Sequence, residues 1–249
     1  MTPVLELCDL HKNFGQLKVL SGLRLCIHQG DIIGLVGPNG SGKTTLLNLI
    51  SGFQPSDRGS ISVAGTNVSS WPTWKRPHAG IGRCFQDSRL WNELSVGEHL
   101  LTVANTRADA RQAKARMDAL TSLVGLDVRM LDHYPDAISL LDRRLLELVL
   151  ASFSGSQVLL IDEIGAGLNL DEARAIYDLV SILVRNRQVG AVLMIEHRLG
   201  LVEEYSTVIG MMKDGQLVQT RRGPPGDFEV AIQDMFHTAK VQPREIPQW

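Results

Sequence analysis

Apolar and polar positions along this chain follow two periods. In the first third, short β-like runs at residues 4–10, 23–28, 31–36, 59–64 and 80–85 are separated in several places by Gly and Asp turn residues. The middle changes to helical spacing over 96–104, 109–124 and 139–153, as at Ala113, Met117, Leu120 and Val124. Strand and helix then alternate. Val158-Leu159-Leu160-Ile161 is a continuous apolar run, the pattern of a parallel strand buried on both faces. A helix over 171–187 follows, turning Ile176, Leu179, Val180, Leu183 and Val184 inward. Next come a buried strand at 191–195, a short helix from Arg198, and a strand at 207–211 whose hairpin partner at 216–220 lies across Lys213-Asp214-Gly215. The pattern is an α/β core, 1–86 and 155–220, interrupted by a helical insert at 87–154. The tail, 221–249, is expected to be loosely ordered apart from one short helix near 229–236. No internal repeat is present.

Residues 37–44 read Gly-Pro-Asn-Gly-Ser-Gly-Lys-Thr, between the apolar run ending at Val36 and the helical run Leu46-Leu47-Asn48-Leu49-Ile50. Strand, glycine-rich turn and helix together make the G-x-x-x-x-G-K-[ST] phosphate loop. Successive backbone N–H groups of such a turn converge on one concavity, and the helix adds its positive end. Gly37, Gly40 and Gly42 permit the close backbone approach, Lys43 can reach the terminal phosphates, and the Thr44 hydroxyl suits Mg²⁺. Pro38, Asn39, Ser41 and Thr45 complete the loop. The chain is expected to bind a nucleoside triphosphate.

Composition narrows the classes. A length of 249 residues with 44% hydrophobic and 21% charged residues is ordinary for a globular protein. Twenty-five basic against 27 acidic residues give a net charge of −2, so no overall field holds nucleic acid. Cys8, Cys26 and Cys84 lack metal spacing and read as small core hydrophobes of a reducing compartment. No apolar run approaches the ~18–20 residues that cross a bilayer, and the N-terminus does not read as a signal peptide. A soluble, cytosolic chain that reaches any membrane by docking is expected.

The remaining chemistry lies at strand ends. Asp162-Glu163 directly follows the buried run at 158–161, where one carboxylate can hold Mg²⁺ through water and the next can polarise an attacking water. His197 ends the next buried strand, and Gln86 follows Ile81–Phe85 on another. Parallel α/β sheets bind ligands at these carboxyl ends.

In order and spacing, residues 37–44, Gln86, Asp162-Glu163, Gly167-Leu168-Asn169 and His197 resemble the Walker A, Q-loop, Walker B, D-loop and H-loop of ATP-binding cassette (ABC) ATPases. The resemblance covers about residues 5–219. It implies a P-loop NTPase fold with an N-terminal antiparallel β subdomain and an inserted helical subdomain, with ATP and Mg²⁺ as cofactors. It also implies roles. Glu163, His197 and Gln86 would be catalytic; Thr44, Gln86 and Asp162 would serve the metal; Phe14 would stack on adenine. Arg83–Trp91, Gly165–Asn169 and Ile195–Arg198 are similar to the ATPase subunits of branched-chain amino acid and urea or amide importers. Such a subunit would sit peripherally on the cytoplasmic face of the membrane. It would dock permease subunits through the segment from Asp87 to Leu94, with Arg89, Leu90 and Trp91 as contacts, and serve a solute-binding protein indirectly.

One motif departs. Where the resemblance expects Leu-Ser-Gly-Gly-Gln, the chain reads Ile138-Ser139-Leu140-Leu141-Asp142. The resemblance implies that this turn closes over the ATP of a second cassette. Ser139 survives as a phosphate contact, but Leu140 and Leu141 put bulk where backbone N–H groups should approach, and Asp142 adds a carboxylate near an anion. Ser139-x-x-Asp142 also reads as a capping box, so the helix should still form. A heterodimer with a cassette carrying an intact signature follows as the expectation. Ile164 and Leu170 stand where the resemblance implies proline.

Overall fold

A computed structural model describes residues 3–104, 110–123, 125–153 and 156–226, together with 228 and 233. The short helix expected near 229–236 lies essentially outside these. Among the described residues the chain forms strands β1 (Leu5–Phe14), β2 (Leu17–Ile27), β3 (Ile32–Val36), β4 (Arg58–Val63), β5 (Thr66–Asn67), β6 (Ile81–Cys84), β7 (Val158–Asp162), β8 (Ala191–Ile195), β9 (Val208–Lys213) and β10 (Gln216–Arg222). The helices are α1 (Lys43–Ile50), α2 (Val96–Ala104), α3 (Ala110–Leu123), α4 (Leu140–Phe153), α5 (Leu170–Arg185) and α6 (Leu199–Tyr205).

Two sheets build the core. A four-stranded sheet runs β2-β1-β4-β5, antiparallel throughout, and a six-stranded sheet runs β10-β9-β3-β8-β7-β6. In the larger sheet β6, β7, β8, β3 and β9 are parallel neighbours, and β10 returns antiparallel as the hairpin partner of β9. Strands β3, β7 and β8 are buried along their whole length, which is why they read as unbroken apolar runs. The two-residue period divides their side chains. Leu159, Ile161, Val192 and Met194 pack beneath α4 and α5, whereas Ile33, Leu35, Leu160 and Leu193 meet α1 and the smaller sheet. Helices α2, α3 and α4, between β6 and β7 in the chain, pack on one another.

Three local expectations change. Asp9 takes φ 53 and breaks the β1 register, and the strand resumes as far as Phe14 while β2 begins at Leu17. Cys84 is buried, but Cys26 is exposed and Cys8 lies between. The tail is tied down beyond Arg221: β10 reaches Arg222, which pairs with buried Asp31, and Phe228 is buried against Val36, Val202, Ile209 and Met211.

Candidate nucleotide site

The phosphate loop is held in shape by close packing. Gly37 has φ 145, and a Cβ there would overlap the Met212 carbonyl oxygen. Gly42, at φ 99, caps α1, and a Cβ there would crowd the Leu20 side chain and the Val19 carbonyl oxygen, both within 3 Å. Gly40 faces open space at the tip, beside exposed Asn39. Lys43 is buried and donates to the carbonyl oxygens of Gly37 at 2.8 Å and Pro38 at 3.1 Å. Burial pulls the Lys43 ammonium below its usual range, opposed by the negative charges of Glu163 and Asp162. Thr44 and Thr45 lie in the first turn of α1, and the buried Ser41 hydroxyl has no partner among the described residues.

The strand-end groups converge on Glu163. Its carboxylate meets His197 Nε2 at 2.7 Å through Oε1 and accepts from Gln86 Nε2 at 3.1 Å through Oε2. Glu163 has φ 51, an uncommon conformation for a residue with a side chain, and its N–H donates to the Ile195 carbonyl at 3.0 Å. So the turn after β7 is pinned to the end of β8.

Asp162 sits one residue earlier, buried at 4% exposure. Arg83 of β6 donates from Nη2 to Asp162 Oδ2 at 3.0 Å and from Nη1 to the Ser51 hydroxyl at 2.7 Å. Burial pushes the Asp162 carboxyl up, and the adjacent guanidinium offsets this in part. Asp162 Oδ1 is buried without a hydrogen-bond partner among the described residues. This unpaired acceptor, the exposed residue Thr44 and the Gln86 amide fit a hydrated divalent cation. Phe14, at the end of β1, is 45% exposed, with the Lys12 ammonium 5.3 Å from its ring.

The segment after Cys84 hangs from the inserted helices. Arg144 of α4 donates to the carbonyls of Phe85 at 3.2 Å and Gln86 at 2.5 Å, and pairs with Glu147 at 2.9 Å. Glu147 accepts from the Arg89 N–H at 3.1 Å, and His99 Nε2 accepts from the Trp91 N–H at 3.0 Å. Beside them Arg83, Phe85, Arg89, Leu90, Glu147 and Leu150 line a cleft of about 130 Å³. Ahead of α4, the Ser139 hydroxyl donates to Asp142 Oδ2 at 2.6 Å and accepts from the Asp142 N–H at 3.1 Å. The carboxylate therefore engages the hydroxyl rather than the Ser139 backbone N–H that a reciprocal box would use. Leu140 and Leu141 pack against the core beneath α4 and α5.

A phosphate loop on a parallel sheet, with carboxylates and a histidine at neighbouring strand ends, defines a P-loop nucleotide-binding protein. The sequence profile described as ABC transporter matches residues 20–166. The chain belongs to the ABC transporter family, whose cassettes are ATPases. It is 30% identical over 230 residues to the high-affinity branched-chain amino acid transport ATP-binding protein LivG of Escherichia coli K12, covering 86% of this chain and 89% of that one. It is 28% identical over 240 residues to the ribose import ATP-binding protein RbsA of Bacillus subtilis 168, covering 93% of this chain but 47% of RbsA. The chain thus spans about half the length of that relative. A nucleotide-free ATP-binding cassette from an ABC transporter superposes with a TM-score of 0.82 at 26% identity, over 96% of this chain and 97% of that one.

The sequence alone assigns no individual role to Arg83, Arg144, Glu147 or Arg198. A charged side chain reads as surface until its buried partner is known; an arginine three residues before Gln86 was the available signal for the first.

Proposed function

We propose that this chain is the ATP-binding and ATP-hydrolysing subunit of an ABC importer. Phosphates lie on the backbone N–H groups of Gly37–Thr45 with Lys43 released onto them, and Thr44, Gln86 and Asp162 hold Mg²⁺. Bound Mg²⁺ supplies charge neutralisation at the β- and γ-phosphates. Glu163 takes the proton of the attacking water, and His197 orients that carboxylate and the γ-phosphate. The observation that carries this reading is the convergence of His197 and Gln86 on the two oxygens of Glu163. Phe14 offers an exposed ring for adenine.

The working unit is a heterodimer. Ser139 spends its hydroxyl on Asp142, and Leu140 and Leu141 replace the glycines, so the turn offers a poor cover for a second cassette's ATP. The partner supplies an intact Leu-Ser-Gly-Gly-Gln. Residues 87–94, beside the cleft at Arg89 and Leu90, dock permease subunits, and the chain sits on the cytoplasmic face of the membrane. No described helix is long and apolar enough to cross a bilayer. The core, 1–86 and 155–220, and the insert, 87–154, act as the two bodies of the cassette.

Glu163→Gln tests the assignment. Mg²⁺-dependent ATP binding should be retained and single-turnover hydrolysis should fall by about 10²–10⁴. An unchanged rate would favour a cassette that binds ATP for regulation without turnover through this carboxylate.

A further inference from the structure

The turn after β8 delivers more than His197. The guanidinium of Arg198, the next residue, donates from Nη2 to the Gly165 carbonyl at 2.7 Å and from Nη1 to the Leu168 carbonyl at 3.3 Å. Both carbonyls belong to the loop that begins at Glu163. That loop is rich in conformational freedom: Ile164-Gly165-Ala166-Gly167 contains two glycines and no proline. Gly165 itself is not in the left-handed region; its lack of a side chain is a matter of space, because a Cβ would overlap Arg198 Nη2.

The arginine is aimed by a buried carboxylate. Glu196 Oε1 accepts from the N–H groups of His197 and Arg198, both at 3.0 Å, and from Arg198 Nε at 3.4 Å, while Oε2 accepts from the Tyr177 hydroxyl at 2.9 Å. Tyr177 is fully buried on α5 and the Glu196 side chain is 5% exposed, so this anchor is fixed by the core. Consecutive residues therefore grip one loop in two ways. His197 holds the Glu163 carboxylate, and Arg198 holds the backbone that follows it.

We propose that Arg198 is a positioning residue for Glu163, stapling the loop from Glu163 to Leu168 to the Glu196–Tyr177 anchor so that the carboxylate stays against His197. This role rests on the reading of Glu163 as the base. Two substitutions remove the staple by different routes: Arg198→Met deletes the guanidinium, and Gly165→Ala displaces it with no backbone strain.

Each variant should lose about tenfold or more in single-turnover ATP hydrolysis, the effect of losing charge-assisted hydrogen bonds, with ATP affinity within about twofold of wild type because the phosphate loop is untouched. The double variant should be no slower than the worse single, since both remove the same contact. Arg198→Lys should retain more activity than Arg198→Met. Amide exchange at Ala166 and Leu168 should rise in both single variants. Wild-type turnover in Arg198→Met, additive losses in the double variant, or unchanged exchange at Ala166 and Leu168 would overturn the proposal. If Glu163→Gln instead hydrolyses ATP as fast as wild type, the reading of Glu163 fails, and exchange at Ala166 and Leu168 still reports whether Arg198 restrains the loop.

Discussion

Glu163 Oε1 and His197 Nε2 lie 2.7 Å apart although 34 residues separate them in the chain. The glutamate side chain is 18% exposed and the histidine 52%, so the histidine is the more open member of the pair. His197→Ala should change ATP affinity far less than hydrolysis, and slow single-turnover hydrolysis by about 10² or more, in the range of lost proton-transfer assistance. Equal losses in binding and hydrolysis would show that His197 serves ground-state binding instead.

Arg83 and Asp162 form an ion pair with both side chains 6% exposed. Arg83→Met leaves a buried carboxylate unpaired and should cost about 3–5 kcal/mol in urea unfolding. Arg174 and Glu204 are 45% and 42% exposed, and Arg174→Ala should cost no more than about 1 kcal/mol. Similar losses in the two variants would contradict the distinction.

Much of this architecture could be read locally. The phosphate loop needs neighbours within a dozen residues, and the strands at 158–162 and 191–195 are apolar throughout because both faces are covered. Strand limits near Asp9 could not be read, since a single left-handed residue decides where β1 resumes. Nor could the charged scaffold. Arg83 finds Asp162 79 residues away, and Arg144 finds the Gln86 carbonyl across 58. Such pairs are set by strand order and helix packing, which no local pattern encodes. The Ser139–Asp142 spacing announced a cap, yet whether the carboxylate would take the hydroxyl or the backbone N–H depended on side-chain geometry.

Ser139 should act as a helix cap before anything else. Ser139→Ala is expected to cost about 1 kcal/mol of stability, measured by denaturant unfolding, without altering ATP affinity at this chain's own phosphate loop. A marked loss of that affinity would mean that Ser139 contacts nucleotide within the same chain.

Glu147→Ala should loosen the expected docking segment selectively. The Arg89 amide loses its acceptor and should exchange faster, whereas the Trp91 amide, held by His99, should keep its protection. Equal acceleration at both amides would show that the segment opens as one unit.

The central claim is that this chain contributes a competent phosphate loop and a poor signature turn. Steady-state ATP turnover of the purified chain alone, compared with the Leu140→Gly/Leu141→Gly/Asp142→Gln variant, tests it most directly. The wild-type chain should turn over slowly, the variant should gain about tenfold or more through the restored donors, and adding Glu163→Gln should abolish the gain. Wild-type turnover as fast as that of the variant would contradict it.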